Sequence, residues 1–398
     1  MKTINLNNDT VKQYGEVLQK LVPSCFRAYT LLTPDQRKNI RESTDKLCKV
    51  HDQYYLLKET PTLKMVISET YNFIFDKVNG DFKRWGKSFK DDPQMAPFPE
   101  ILDIEVTTQC CGIPNKDGVK APCQFCYKSN TPTGVNMTFE NFQKVIDSFP
   151  FLCQIAIGAD SEANSNPDLW KMMEYTRSKG IVPNITVANI TDDTADKLAK
   201  YCGAVAVSRY PNKDICYNSI EKLTNRGMKQ INIHILVSEE TYDMCLETLN
   251  DAKTDTRLKG LNAIVLLSLK KKGRGKGYHS LSIDKFKALV DYALQNKVNI
   301  GFDSCSCHKF LESVKDSPDK ARFEMVSESC ESSVFSSYCD VNSNYYPCSF
   351  CEGEAEWAEG LSIAQSDNFI KDIWFNKKTN EFRKKLFNNN RKCPMFDI

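Results

Sequence analysis

Seventeen cysteines in 398 residues are the side chains with the most chemistry to offer, and they are bunched. Four lie between positions 110 and 126, and seven lie from 305 onward. Cysteines that merely fill a core would be scattered. In the first group "CQFCYKSN" (123–130) sets Cys123 and Cys126 one turn apart, and Cys110–Cys111 stands upstream across a twelve-residue gap. Structural zinc takes four nitrogen or sulfur ligands, often as two close pairs. Adjacent Cys110 and Cys111 do not easily both reach a metal held by Cys123 and Cys126. None of the four histidines, His51, His234, His279 and His308, is near in sequence. A thioredoxin-like pair would use Cys123 and Cys126 alone and leave the upstream thiols without a role. An iron–sulfur cluster on three thiolates, with one iron open to a substrate, suits the set better.

These residues need elements to position them. From Ile101 to Phe302 short β-type runs alternate with amphipathic helical stretches. The runs cover 101–107, 154–157, 182–187, 204–207, 230–237, 263–269 and 299–302, and the helices between them lie near 138–149, 166–180, 192–201, 214–226, 239–250 and 282–297. In the second helix Asn166 reads as N-cap, Pro167 as the first helical residue and Gly180 as the stop. Such a rhythm means parallel strands with crossover helices. The expected fold is α/β, a partial parallel barrel whose chemistry sits at the C-terminal ends of its strands. Cys110, Cys111, Cys123 and Cys126 follow the first strand directly and fall on that face.

Residues 1–97 read as a helical region: Val11, Tyr14, Val17, Leu18 and Leu21 share a face, Thr33 and Pro34 open a second helix, and a third apolar run spans 63–77. A breaker-rich linker, "KDDPQMAPFPE", leads into the barrel region at 98–302. The tail, 303–398, is turn-rich and reads as a small metal-stapled extension. Net charge is +2, which gives no bulk electrostatic case for nucleic acid or membrane. No run approaches the roughly 20 apolar residues of a membrane span, and "MKTINLNNDT" lacks a secretory h-region. A cytoplasmic, reducing setting is expected, where disulfide frameworks are rare.

"IEVTTQC" followed by "CQFCYK" resembles the radical S-adenosylmethionine enzymes, whose usual signature is Cys-x3-Cys-x2-Cys with an aromatic residue before the last cysteine. Phe125 holds that aromatic place. The first gap is much longer here, so "GIPNKDGVKAP" becomes a loop between ligands. The resemblance implies a 4Fe–4S cluster on Cys110, Cys123 and Cys126, with Cys111 as the rival to Cys110, and S-adenosylmethionine bound beside it. It also maps a cofactor-gripping turn onto "IAIGADSEANSNPDL", offering Gly158 and Asp160, likens "ITVAN" (185–189) to a third-strand segment, and places Ser208 of "VAVSRY" near a ribose. The implied activity is reductive cleavage of S-adenosylmethionine to a 5′-deoxyadenosyl radical that takes hydrogen from a substrate, with a low-potential electron donor as partner.

In the tail "CESSVFSSYCDVNSNYYPC" (330–348), followed by "GLSI", "IKDIW", "FRKKL" and Cys393, is similar to the SPASM or twitch extension of peptide-modifying members. That implies one auxiliary 4Fe–4S cluster, with Cys305, Cys330, Cys348 and Cys393 as ligands and Cys307 and Cys351 in reserve. Zinc in the tail and a small-molecule substrate are the alternatives, and a non-catalytic zinc-stabilised binding protein is the alternative to an enzyme. Each site residue also has a plainer reading: Phe125 as core, Gly158 as a tight turn, Asp160 as a cap, Ser208 as a hydrogen-bonded barrel residue. Cys25, Cys48, Cys153, Cys202, Cys216, Cys245 and Cys339 read as packing. "KKKGRGKG", with Lys270, Lys271, Lys272, Arg274 and Lys276, is either a solvated loop or an anion site at the barrel mouth.

Overall fold

The computed structural model describes residues 2–115 and 118–398. Lys116 and Asp117, inside the insert between Cys110 and Cys123, lie outside the described residues. Strands are β1 (Lys2–Asn5), β2 (Thr44–Val50), β3 (Gln53–Glu59), β4 (Leu63–Ile67), β5 (Asn72–Asp76) and β6 (Phe82–Trp85), then β7 (Ile101–Glu105), β8 (Ile113–Pro114), β9 (Lys120–Ala121), β10 (Gln154–Gly158), β11 (Val182–Val187), β12 (Val205–Ser208), β13 (Ile231–Val237), β14 (Ala263–Ser268) and β15 (Ile300–Phe302), and in the tail β16 (Ser336–Cys339), β17 (Asn344–Tyr346) and β18 (Leu361–Ser362). Helices are α1 (Asn8–Gln13), α2 (Gly15–Leu31), α3 (Pro34–Asn39), α4 (Phe139–Ser148), α5 (Leu169–Ser178), α6 (Asp192–Tyr201), α7 (Lys213–Asn225), α8 (Tyr242–Thr254), α9 (Ile283–Gln295), α10 (Cys307–Ser313), α11 (Lys320–Val326) and α12 (Lys377–Asn388).

β7 and β10 to β15 are parallel neighbours in one sheet, joined by the helices α4 to α9. One face of these strands is apolar. Leu102, Ile155, Val207 and Ile233 are fully buried there in a cluster with helix residues such as Phe142, Met172 and Leu289. Each such side chain contributes about 1.5–3 kcal/mol. The other face is polar: Asp103, Asn184, Asn232, Ser208 and His234 alternate with the buried set. Register puts Ser208 beside His234 and Gly158 beside Glu105. α5 starts at Leu169 with Asp168 as N-cap, two residues later than the spacing implies. The Asn166 amide instead donates to the Val106 and Met137 carbonyls, at 2.7 and 3.0 Å.

The N-terminal region departs from its helical reading. Thr33 caps α3 as expected, accepting from the Gln36 amide, but residues 44–85 form five strands of a six-stranded antiparallel sheet with β1. The apolar run at 63–77 is β4 and β5. Its residues are buried on both faces: Leu63, Met65 and Ile67 pack toward α2, and Val66, Phe73 and Phe75 toward the main sheet. A strand covered on both sides reads as an unbroken apolar run, which helical periodicity matches by chance. Phe98 fixes the junction, with Tyr55, Tyr71 and Phe151 at ring distances of 5.3, 5.6 and 4.7 Å.

The tail is more than an appendix. β16 pairs parallel with β7, Tyr338 opposite Asp103, and β17 and β18 extend the same sheet. Among the described residues no helix is long and apolar enough to cross a membrane. All seventeen cysteines are free thiols.

Candidate active site

β7 ends at Glu105 and delivers the chain to Cys110, whose amide donates to the Thr131 carbonyl at 2.9 Å. The long gap to Cys123 is a hairpin of β8 and β9. It closes at Gly112, which has φ +83°, and a Cβ there would stand 1.8 Å from the Ala121 carbonyl oxygen. This pairing turns the chain back toward its starting point, and Cys110 comes within electrostatic reach of Cys123. Cys110, Cys123 and Cys126 are half-buried. Burial raises the Cys123 thiol, and the charges of Cys126 and Cys110 act on it in the same direction. Cys111 is exposed and lies near Lys120.

Phe125 stacks on Tyr210, centroids 5.6 Å apart and planes at 12°, with Tyr278 edge-on at 5.9 Å. The Tyr210 phenol lies near both Cys123 and Ser208, so that each of them acts on it. Gly158 ends β10 in an ordinary conformation, and a Cβ there would meet atoms no nearer than 3.6 Å. Asp160 is buried, and its carboxylate accepts from the amides of Glu162, Asn164 and Ser165 at 3.1, 3.0 and 3.0 Å. It caps its own turn, the plainer of its two readings. That turn holds the insert, through Ser161 Oγ to the Gly112 carbonyl at 2.8 Å and Glu162 to Lys120 at 2.8 Å.

The basic loop after β14 is neither free nor poised for an anion. Arg274 Nε donates to the Cys123 carbonyl at 2.8 Å, and its backbone amide to the Cys126 carbonyl at 3.0 Å. Gly273, at φ +53°, passes so close that a Cβ would lie 2.3 Å from the Tyr127 carbonyl oxygen. Lys272 donates to the carbonyls of Phe350 and Glu352. Lys270 is buried and paired with Asp303. Only Lys271 and Lys276 are exposed. The loop clamps the two cysteine segments.

In the tail, Cys305, Cys330, Cys348, Cys351 and Cys393 line one narrow recess with an open volume of only ≈ 10 Å³, and Lys270 and Phe350 stand in its wall. Cys348 and Cys351 Sγ stand 3.5 Å apart. The hydrogen bond from Cys351 favours the Cys348 thiolate and pushes the Cys351 thiol up. Burial pushes Cys330 up to about 11. Cys307 is buried away from the recess and accepts from Ser329, and Cys339 is buried on β16. A larger hollow, ≈ 420 Å³ around Thr254, Asn262 and Asn299, lies at the opposite end of the strands from the thiols. Among the described residues no three His, Cys, Asp or Glu side chains are grouped to hold one metal ion. A single zinc draws its donors to about 2.0–2.3 Å, whereas a cubane gives each thiolate its own iron. Soft donors set around a space suit that second arrangement.

The two thiol sets interlock. Tyr127 packs on Phe350 at 4.4 Å and bonds Ser349. Lys128 pairs with Glu105 at 3.1 Å and with Glu352, and the Tyr338 hydroxyl reaches both carboxylates. Tyr210 and Lys128 escaped sequence reasoning as site residues, and Arg274 was singled out only as a possible anion ligand. All three stand inside segments that were quoted, but the contacts that give them roles come from distant parts of the chain.

No protein-family model and no curated sequence matches the chain. Among solved structures it is similar to Streptococcus suis SuiB bound to the precursor peptide SuiA, with TM-score 0.61 and 13% identity over 81% of this chain and 90% of that one. It is also similar to SuiB bound to S-adenosylmethionine, with TM-score 0.56 and 13% identity over 81% and 89%. The parallel sheet, with its thiols at the strand ends, shares its fold with these two structures.

Proposed function

We propose that the chain is a radical S-adenosylmethionine enzyme that modifies a side chain of a peptide or protein. What supports this is the pairing of β8 with β9 between the cysteines, with Cys110 and Cys126 both within electrostatic reach of Cys123 and Cys111 exposed. In this reading Cys110, Cys123 and Cys126 hold a 4Fe–4S cluster and the recess thiols hold a second. Together with S-adenosylmethionine the first supplies a 5′-deoxyadenosyl radical for hydrogen abstraction. The chain's own part is positional. Arg274 and Gly273 fix the carbonyls of the cysteine loop, Phe125 and Tyr210 wall one side, and Ser208 and His234 line the polar face beyond it. Gly158 offers its backbone at the end of β10. Asp160 supports that turn rather than touching the cofactor. The fully buried helix-facing side of the sheet keeps water away from one flank.

A peptide substrate is supported by the SuiB structure described with a precursor peptide and by the tail's resemblance. A low-potential donor and a reducing, cytoplasmic setting go with seventeen free thiols. The test is anaerobic reconstitution with iron and sulfide, then reduction in the presence of S-adenosylmethionine. Release of 5′-deoxyadenosine that is lost in Cys123→Ala is the expected result. A colourless protein that retains stoichiometric zinc and releases none would establish the binding protein instead.

A further inference from the structure

Lys270 is the one cation in the wall of the tail recess, and it is 5% exposed. Its ammonium pairs with Asp303 and lies 4.7 Å over the ring of Phe350. It is within electrostatic reach of Cys305 and Cys348. Asp303 is itself held, by Ser306 Oγ and by the Ser268 amide at 3.4 Å, so the pair is fixed in place. A buried ion pair is weak support for a fold, because desolvation offsets its attraction. Next to neutral thiols this one has little to do. Next to an anion it has a task.

We propose that Lys270 is the counter-cation of the tail recess and that its charge, moderated by Asp303, sets the reduction potential of an iron–sulfur cluster bound by the recess thiols. This rests on the cluster reading of the tail given above. A 4Fe–4S core of charge 2+ on four thiolates carries a net charge of 2−, and uptake of one electron takes it to 3−. A fixed ammonium favours the more negative form, and a fixed carboxylate disfavours it. Lys270 and Asp303 therefore act in opposite directions on one potential.

The experiment uses the full chain, reconstituted anaerobically, with Cys110→Ala, Cys123→Ala and Cys126→Ala together so that only tail iron reports. Iron is counted first. Dithionite then supplies the electron in a potentiometric titration followed by electron paramagnetic resonance. Lys270→Met is expected to lower the midpoint, with the reduced-to-oxidised ratio at fixed potential falling roughly tenfold, equivalent to about 59 mV for one electron. Asp303→Asn is expected to raise it, and Lys270→Arg to leave it near the parent value. Unmoved potentials, or shifts of the same sign in both variants, with iron retained, overturn the inference and leave the cluster reading standing. A parent tail that takes up no iron overturns that reading and the inference together. If Lys270→Met alone sheds its iron, the sign of the Asp303→Asn shift decides.

Discussion

The ring of Tyr127, the residue after Cys126, lies 4.4 Å from the ring of Phe350, which stands between Cys348 and Cys351. Two thiol sites more than two hundred positions apart in sequence thus share one aromatic contact. A double-mutant cycle on Tyr127→Leu and Phe350→Leu, read by urea unfolding of the metal-free chain, is expected to give a coupling of about 0.5–1.5 kcal/mol. A coupling near zero would mean that the two segments are held independently.

The clamp after β14 makes a sharper forecast. Arg274→Ala strips donors from the Cys123 and Asn130 carbonyls, and Gly273→Ala forces a methyl against the Tyr127 carbonyl. Both are expected to lower iron retained at the first site, seen as the loss of up to about four iron atoms per chain, while exposed Lys276→Ala changes nothing. Equal iron in all three would remove the clamp from the account.

Three parts of the chain meet at Arg84. Its guanidinium pairs with Glu100 and Glu328, both at 3.0 Å, and lies 3.4 Å over the Phe335 ring. Burial pushes the Glu100 carboxyl up to about 7 even with Arg84 beside it. Arg84→Met leaves that carboxyl with the Tyr71 hydroxyl as its remaining partner and is expected to cost about 1–3 kcal/mol in thermal or urea unfolding. Adding Glu100→Gln is expected to recover much of the loss.

His234 should leave a mark on the pH dependence of stability. Burial pushes its imidazole down to about 4, against roughly 6.5 in an unfolded chain. Between those values the unfolded state binds the extra proton, so His234 adds nothing unfavourable above about pH 6.5 and weakens the fold as pH falls toward 4. His234→Gln is expected to flatten the decline between pH 7 and 5 by on the order of 1–2 kcal/mol, after discounting for partial exposure. An unchanged slope would place the titration elsewhere.

The repeating core was legible because its signals are local. Val182–Val187 and Asp192–Tyr201 fall on the limits that the sequence implies, and Thr33 announces its own cap. What stayed hidden depends on partners far along the chain. β4 and β5 passed for a helix because apolar neighbours on both sides erase alternation. Asp160 could be read from sequence either as a cofactor contact or as a cap, and the three amides it accepts from come from its own turn. Cys351, held in reserve, joins Cys305, Cys330, Cys348 and Cys393 around the recess, while Cys307 turns away. The basic loop looked solvated because nothing in "KKKGRGKG" discloses the carbonyls it meets.

β16 occupies the edge of β7 that a closed cylinder would have needed for β15. The staves therefore cannot complete a ring, and β15 keeps a side without a strand neighbour among the described residues. The tail is thus built into the main sheet, and anything that displaces β16 would bare the edge of the strand that leads to Cys110.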